Sequence, residues 1–363
     1  MAASTPLVRQ WLLLRTLSAW RHGATIRELA EEVEVSEKTT GCFTIAVGLG
    51  KLGGCALWVF CRRRLLETSE ASSGSFSVTT QRPTTTTKEL IGRPLMRGSR
   101  PTGDATELPT AFGFRGGERG PHASRTMMLP EVRDLLRGTS TDVSKADYKR
   151  AIMEDNVLGK RTLATRRESY ERLGWLYALD PAVPLFRALR YFWDRDPEAQ
   201  PLLAMLCASA RDPLLRMTAS TVLQLPYGDT LSIPAMEGAI AANAPGRFSE
   251  TTQLKIARNA AASWTQSGHL HGRRTKRRTH PKVTPAAVAY ALLLGYLGGA
   301  SGQVLLTTFW AALLDTPTDQ LVKLAADASA RGWIAYRQSG QVVEVRFPEL
   351  LTPEEMERRR EQD

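Results

Sequence analysis

Residues 248–282 read FSETTQLKIARNAAASWTQSGHLHGRRTKRRTHPK. Ser249, set before Glu-Thr-Thr, has the side chain of a helix N-cap. Leu254, Ile256, Ala257 and Ala260 then recur as an apolar stripe, so a helix is predicted through Ser263. Lys255 and Arg258 stand three residues apart, off that stripe, as neighbours on the helix surface. Gly268 sits where a left-handed cap would end the helix. A short extended piece, His269-Leu-His-Gly, leads into Arg273, Arg274, Lys276, Arg277, Arg278 and Lys282. Helix, glycine, extended segment and basic hairpin follow one another as in the outline of a winged helix.

Charge singles out the same stretch. The 363 residues hold 48 Lys or Arg against 37 Asp or Glu, a net charge of +11. After Glu250 the next acid is Asp315, and eight basic residues lie between, so these 64 residues carry +8. Solvated surfaces normally mix signs, and a flexible, solubilising loop is the bland explanation of a basic run. A cluster of one sign points further, to a polyanion whose bound counterions are released on contact. Phosphate contacts give affinity rather than sequence choice. The residues expected to bind are Lys255, Arg258, Arg273, Arg274, Lys276, Arg277, Arg278 and Lys282, with Thr251 and Thr252 adding backbone contacts at the helix N-terminus.

Outward from this stretch, residues 128–351 read as one helical domain. Helical patterns cover 143–154, 162–179, 184–194, 198–210 and 212–224, and Pro184, Pro213 and Pro234 mark helix starts. A second helix-plus-hairpin module closes the domain. Thr318-Asp319 is expected to cap a helix to Ala330, Gly332 to end it, and the flanks of Gln338-Ser-Gly-Gln to pair as strands around a Ser-Gly turn. Residues 352–363 read as a charged tail. The fold class expected is mainly α: a helical bundle with winged-helix elements, preceded by an irregular or disordered linker. The uncharged run 285–314 is long enough to span a bilayer, but Gly298-Gly-Ala-Ser-Gly-Gln303 interrupts it, and two short buried helices around a polar turn explain it. No uninterrupted apolar leader opens the chain, and Cys42, Cys55, Cys61 and Cys207 form no CxxC pair. The expectation is a cytoplasmic protein without membrane contact.

Upstream, Thr25-Ile-Arg-Glu has the form of a capping box, and Ser36 can cap the next helix. The run TIRELAEEVEVSEKT, residues 25–39, resembles the helix-turn-helix start of WYL-type transcription regulators. It breaks off at Thr40-Gly-Cys-Phe-Thr, where that family's recognition helix would continue. Residues 1–39 are therefore a partial helix-turn-helix. Residues 40–127, with TTQRPTTTTKE and GFRGGERGPHASR, read as low-complexity sequence that buries too little apolar area to fold. The abrupt change reads as a frame discontinuity running into a second gene whose natural start lies near Met127 or Met128.

Other patterns have ordinary explanations. Gly48-Leu-Gly-Lys-Leu-Gly53 matches GxGxxG but opens no βαβ unit. His269, His271 and His280 sit among arginines that repel a cation, so no metal is expected. Glu168, Glu171, Asp180, Asp194 and Asp196 fit solvated helix faces. Trp175, Tyr177, Phe186, Tyr191, Phe192, Trp193 and Cys207 fit a core. No cofactor and no catalytic residue are implied.

Four stretches carry a wider likeness: NVLGKRTLATRRESYERLGWLY at 156–177, LLAMLCASARDPLLR at 202–216, FSETTQLKIARNAAASWTQSGHLHG at 248–272 and GWIAYRQSGQVVEVRF at 332–347. Together they resemble the BrxA component of bacteriophage-exclusion (BREX) defence systems. The resemblance spans about the last 200 residues and implies a helical, non-catalytic DNA-binding accessory protein that works with other phage-defence proteins. The expectation is thus a protein that binds double-stranded DNA mainly at phosphates. The alternatives are a helix-turn-helix transcription regulator and a protein-interaction scaffold whose basic loop meets an acidic partner.

Overall fold

The computed structural model describes residues 108–361 other than 118 and 341, all within the unit Leu95–Asp363. The helix-turn-helix expected at 1–39, and the segment 40–107, lie outside the described residues. Two 3-10 turns, Thr110–Phe112 and Pro121–Ala123, precede helices α1 (Leu129–Arg137), α2 (Lys145–Met153) and α3 (Leu163–Tyr177). Next come α4 (Pro184–Arg195), α5 (Gln200–Arg211), the short α6 (Pro213–Arg216) and α7 (Ala219–Leu223), and α8 (Ile233–Asn243). Helix α9 (Glu250–Gln266) leads into strands β1 (Leu270–His271) and β2 (Arg277–Arg278). Then follow α10 (Pro285–Leu297), α11 (Phe309–Ala312), α12 (Thr318–Ala330), β3 (Ala335–Ser339), β4 (Val342–Arg346) and α13 (Pro353–Arg360). The described chain is mainly helical, with two small two-stranded sheets.

Side-chain caps start many of these helices. Ser144 with Asp147, Thr162 with Thr165 and Thr352 with Glu355 form reciprocal capping boxes. Ser249 Oγ accepts from the Thr252 N–H at the start of α9, as its position predicts. Prolines stand in the first turns of α4, α6, α8, α10 and α13, where a missing N–H costs least. Three helices end alike. After α9 the His269 N–H reaches back to Trp264 O and Gly268 takes φ +88°; after α12 the Trp333 N–H reaches Ala328 O and Gly332 takes φ +73°. Ala300 N–H to Gly295 O, with Gly299 at φ +103°, repeats this at the end of α10.

Helix α5 is buried continuously from Leu202 to Arg211, and α10 is buried on nearly every face. A helix apolar all round must be enclosed, and these two pack on each other at the centre. Helices α1, α3, α4 and α9 also contact α5, while α4 and α12 contact α10. The uncharged run at 285–314 is indeed divided: α10 and Gly302–Ala312 meet at 117°, and no single described helix is long and apolar enough to cross a membrane.

Several sequence expectations change. The helix expected over 212–224 is split into α6 and α7. Thr218, at the break, donates to Leu215 O at 2.7 Å and accepts from Trp264 Nε1 at 2.9 Å. Helix α12 starts at Thr318 itself, with Pro317 in the cap position and no side-chain cap. The second hairpin turns at Gly340, φ +58°, as the Ser-Gly pair predicts, but Ser339 still pairs with Val342 in the ladder. Within the expected charged tail at 352–363, Pro353–Arg360 instead form α13. Its Glu355 pairs with Arg187, and its buried Arg359 lies over the Tyr296 ring at 5.1 Å. Four residues apart, these two charged side chains face inward together.

The largest correction concerns residues 108–127, which were expected to be unfolded linker. Phe112, Phe114, His122 and Met127 are buried, and Phe114 packs against Trp310 with ring centroids 5.6 Å apart. The Arg115 N–H bonds Ala210 O, and Tyr177 Oη donates to Met127 O at 2.5 Å. A few apolar residues set in glycine-rich text suffice because each one fills a core site. The domain therefore does not begin at Met127 or Met128. Phe112→Ala and Phe114→Ala should each cost about 3–5 kcal/mol in urea unfolding; a linker would show no loss.

His269 makes a second test. It is enclosed against Trp264, with ring centroids 4.8 Å apart; Nε2 donates to Leu313 O at 2.9 Å and Nδ1 meets Ser267 Oγ at 2.8 Å. Burial pushes the imidazole down from 6.5 to about 4. As pH falls below 6.5 the unfolded chain takes up the proton first, so stability is lost from there down to about 4. The loss is about 3 kcal/mol. Urea midpoints across this window should fall for the wild type and flatten for His269→Gln, which keeps a donor and an acceptor but does not titrate.

Candidate nucleic-acid interface

The basic segment is built on three short extended pieces. Leu270 pairs with Arg278 and His271 with Arg277. On the other side of β2, Thr230 bridges Arg277, Leu231 N–H donates to Lys276 O at 2.8 Å and Arg278 N–H to Asp229 O at 2.8 Å. Strand β2 is thus held from both edges, one of them residues 228–231, which carried no strand signal. The turn at Gly272 takes φ +108°, and a Cβ there would lie 2.1 Å from Thr275 O. Only glycine allows that approach.

The eight expected cations do not share one role. Lys255 and Arg258 are exposed on α9, and Arg273, Arg274 and Arg277 are exposed around the hairpin. None of these five forms an ion pair among the described residues. Lys276 is half-buried; its Nζ donates to Thr265 Oγ1 at 2.9 Å, and burial lowers its pKa. Position 265 lies two turns beyond 258 on the same helix face, roughly 10 Å along the axis. Lys276 therefore ties the hairpin to the face bearing Lys255 and Arg258.

One of the expected phosphate contacts is corrected, and another already has an acidic partner. Arg278 is only 2% exposed and pairs with Asp315 at 2.6 Å, while Nη1 donates to His269 O at 3.1 Å. The alternation of the ladder turns its side chain inward while Arg277 turns out. Lys282 remains exposed but pairs with Glu198 at 2.5 Å. Thr252 is half-buried and its N–H is taken by Ser249; Thr251 is exposed, beside Glu250 in the same first turn. Those donors and that acid leave little for an anion at this terminus.

Below the helix lies a network that local patterns could not reveal. Asp212 accepts from the His122 N–H at 3.0 Å and meets His122 Nδ1 at 2.7 Å, while His122 Nε2 meets Ser263 Oγ at 2.8 Å. Burial pushes the Asp212 carboxyl up, but His122 and the N–H groups of His122 and Leu214 outweigh it and hold the carboxyl below its ordinary value. The connectivity is that of a Ser–His–Asp triad. All three side chains are sealed from solvent, and Ser263 Oγ accepts from the Met127 N–H at 2.8 Å and donates to Asn259 O at 3.0 Å. With its hydroxyl so occupied, and enclosed among the described residues, the network ties the Pro121–Ala123 turn and the start of α6 to α9. Sequence separations of 90 and 141 residues hid it.

A second basic feature is an open cleft of about 910 Å³, lined by Arg115, Arg119, Trp175 and Arg211 among others. Arg115 covers the Trp175 ring at 4.2 Å, and Arg211 donates to Trp175 O, Gly113 O and Gly174 O. These two guanidiniums thus brace the Phe112–Arg115 segment against α3. Among the described residues no group of three or more His, Cys, Asp or Glu could hold a metal ion, and His269 has both ring nitrogens engaged. No protein-family model matches the chain, and no curated protein matches it either.

Proposed function

We propose that this protein binds double-stranded DNA through phosphate contacts and carries out no covalent chemistry. The observation that carries the reading is the group of five outward cations without acidic partners: Lys255, Arg258, Arg273, Arg274 and Arg277. A fixed β2 edge and the Lys276–Thr265 bond support it, because they hold the hairpin cations in register with those of α9. In this reading α9 and the β1–β2 hairpin act as helix and wing, with the hairpin lying along the backbone. The resemblance to the BrxA component of phage-exclusion systems supplies the setting: an accessory protein of bacterial phage defence, acting with other defence proteins in the cytoplasm.

Binding to a mixed-sequence duplex across a salt series tests the reading. Affinity should fall steeply with salt, the logarithmic slope being set by the number of phosphates neutralised. Arg273→Glu/Arg274→Glu/Arg277→Glu should weaken binding at least a hundredfold at low salt and flatten the slope by about three. Arg278 is left intact because its loss would strip Asp315 of its buried guanidinium partner. A folded wild type that ignores duplex DNA at low salt would sink the reading, and salt-insensitive capture of an acidic protein would replace it.

A further inference from the structure

Tyr227 is 69% exposed, yet its ring is not loose. It stacks on the His280 imidazole, with centroids 5.1 Å apart and planes 6° from parallel. His280 is held in turn: its Nδ1 lies 2.8 Å from Asp315 Oδ2, the oxygen that also meets Arg278 Nη2 at 2.6 Å. The backbone beside Tyr227 is fixed as well, because the Gly228 N–H donates to Arg278 O at 3.1 Å. Arg278, buried and unable to reach a phosphate, is thus the foundation of a relay through Asp315 and His280 to Tyr227.

The fold therefore holds an aromatic ring rigidly with much of it in water. Exposed apolar surface contributes nothing to the stability of the free protein. Its surroundings indicate what it meets. Arg277 donates from Nη1 to Gly228 O at 3.2 Å, at the residue that follows Tyr227, and Arg273 and Arg274 follow on the adjoining loop. Asp229, exposed in the same ladder, offsets part of that charge. A flat ring bordered by phosphate-binding cations is the arrangement on which nucleobases stack, since every base has a π-face. Bases inside a duplex already stack on their neighbours, so the open face suits an unpaired one.

We infer that the Tyr227–His280 pair is a stacking platform for an unpaired nucleobase, giving the protein a preference for duplex ends or junctions carrying single strand over blunt duplex. The inference rests on the phosphate-binding reading above, and the experiment separates the two. The full chain is titrated against a blunt duplex and against the same duplex with a single-stranded overhang, with 2-aminopurine at the first unpaired position. Wild-type protein should bind the overhang substrate about tenfold more tightly and quench the 2-aminopurine. Tyr227→Ala should bring the overhang affinity down to the blunt value, abolish the quenching and leave blunt-duplex binding unchanged. Tyr227→Trp should keep both signals. Arg273→Glu/Arg274→Glu should weaken both substrates by the same factor. Equal wild-type affinity for the two substrates, or quenching that survives in Tyr227→Ala, overturns the platform alone. Binding to neither substrate overturns the phosphate reading and the platform with it.

Discussion

The Asp212 carboxylate is the contact on which the rest of the interface stands. It caps α6 through the Leu214 N–H at 2.9 Å and takes both the backbone N–H and the ring of His122. Gly120 approaches it so closely that a Cβ there would fall 1.8 Å from Oδ1. His122 passes the constraint to Ser263, on the buried face of the last turn of α9. One buried charge thus joins the corner after α5, the incoming Pro121–Ala123 turn and the helix that presents Lys255 and Arg258. A buried carboxylate is tolerable only when its acceptor sites are filled, and here three N–H-bearing groups converge on it. The same requirement makes residues 108–127 part of the domain: without His122 the carboxylate would lose its main partner.

The helical character was legible wherever local chemistry decides the outcome. Ser249 stands at a cap, Gly268 and Gly332 at left-handed ends, and prolines in first turns; each leaves a mark within a few residues of its effect. The second hairpin was legible too, because alternation along Val342 to Phe347 is a period-two signal. What escaped was decided at long range. Glycine- and arginine-rich text at 108–127 looked unable to fold because its few apolar residues were judged against their neighbours, not against the core cavities they fill. The tail after Thr352 looked solvated because its polar composition conceals an inward pair, Glu355 and Arg359, supplied with partners by α4 and α10.

Within the basic run the same limit applies one residue at a time. Composition marks 273–278 as cationic but cannot distinguish Arg277 from Arg278, which the pleat sends to opposite sides. Inward, Arg278 meets Asp315, the acid that ends the basic stretch in the sequence, so the apparent gap in negative charge closes inside the fold. Lys282 is likewise met by Glu198, from a different part of the chain. The cluster shrinks from eight cations to five free ones, with Lys276 partly committed.

That division explains how the remainder can stay unneutralised. Crowding like charges on one surface raises its free energy, and the relief available within the chain is an acidic partner. The fold gives such partners to Arg278, which anchors the hairpin on Asp315, and to Lys282 beyond it, and withholds them from Arg273, Arg274 and Arg277 at its rim. Repulsion among the rim cations is borne by a scaffold pinned from both edges of β2 and from Thr265. In free protein that repulsion is a standing cost; on the proposed reading a phosphate backbone laid across it would remove the cost and release counterions at the same time. Inward charges therefore set the position of the hairpin, and in the proposed reading the outward ones would set its affinity for a polyanion, with discrimination among polyanions falling to the uncharged part of the same surface, where Tyr227 stands.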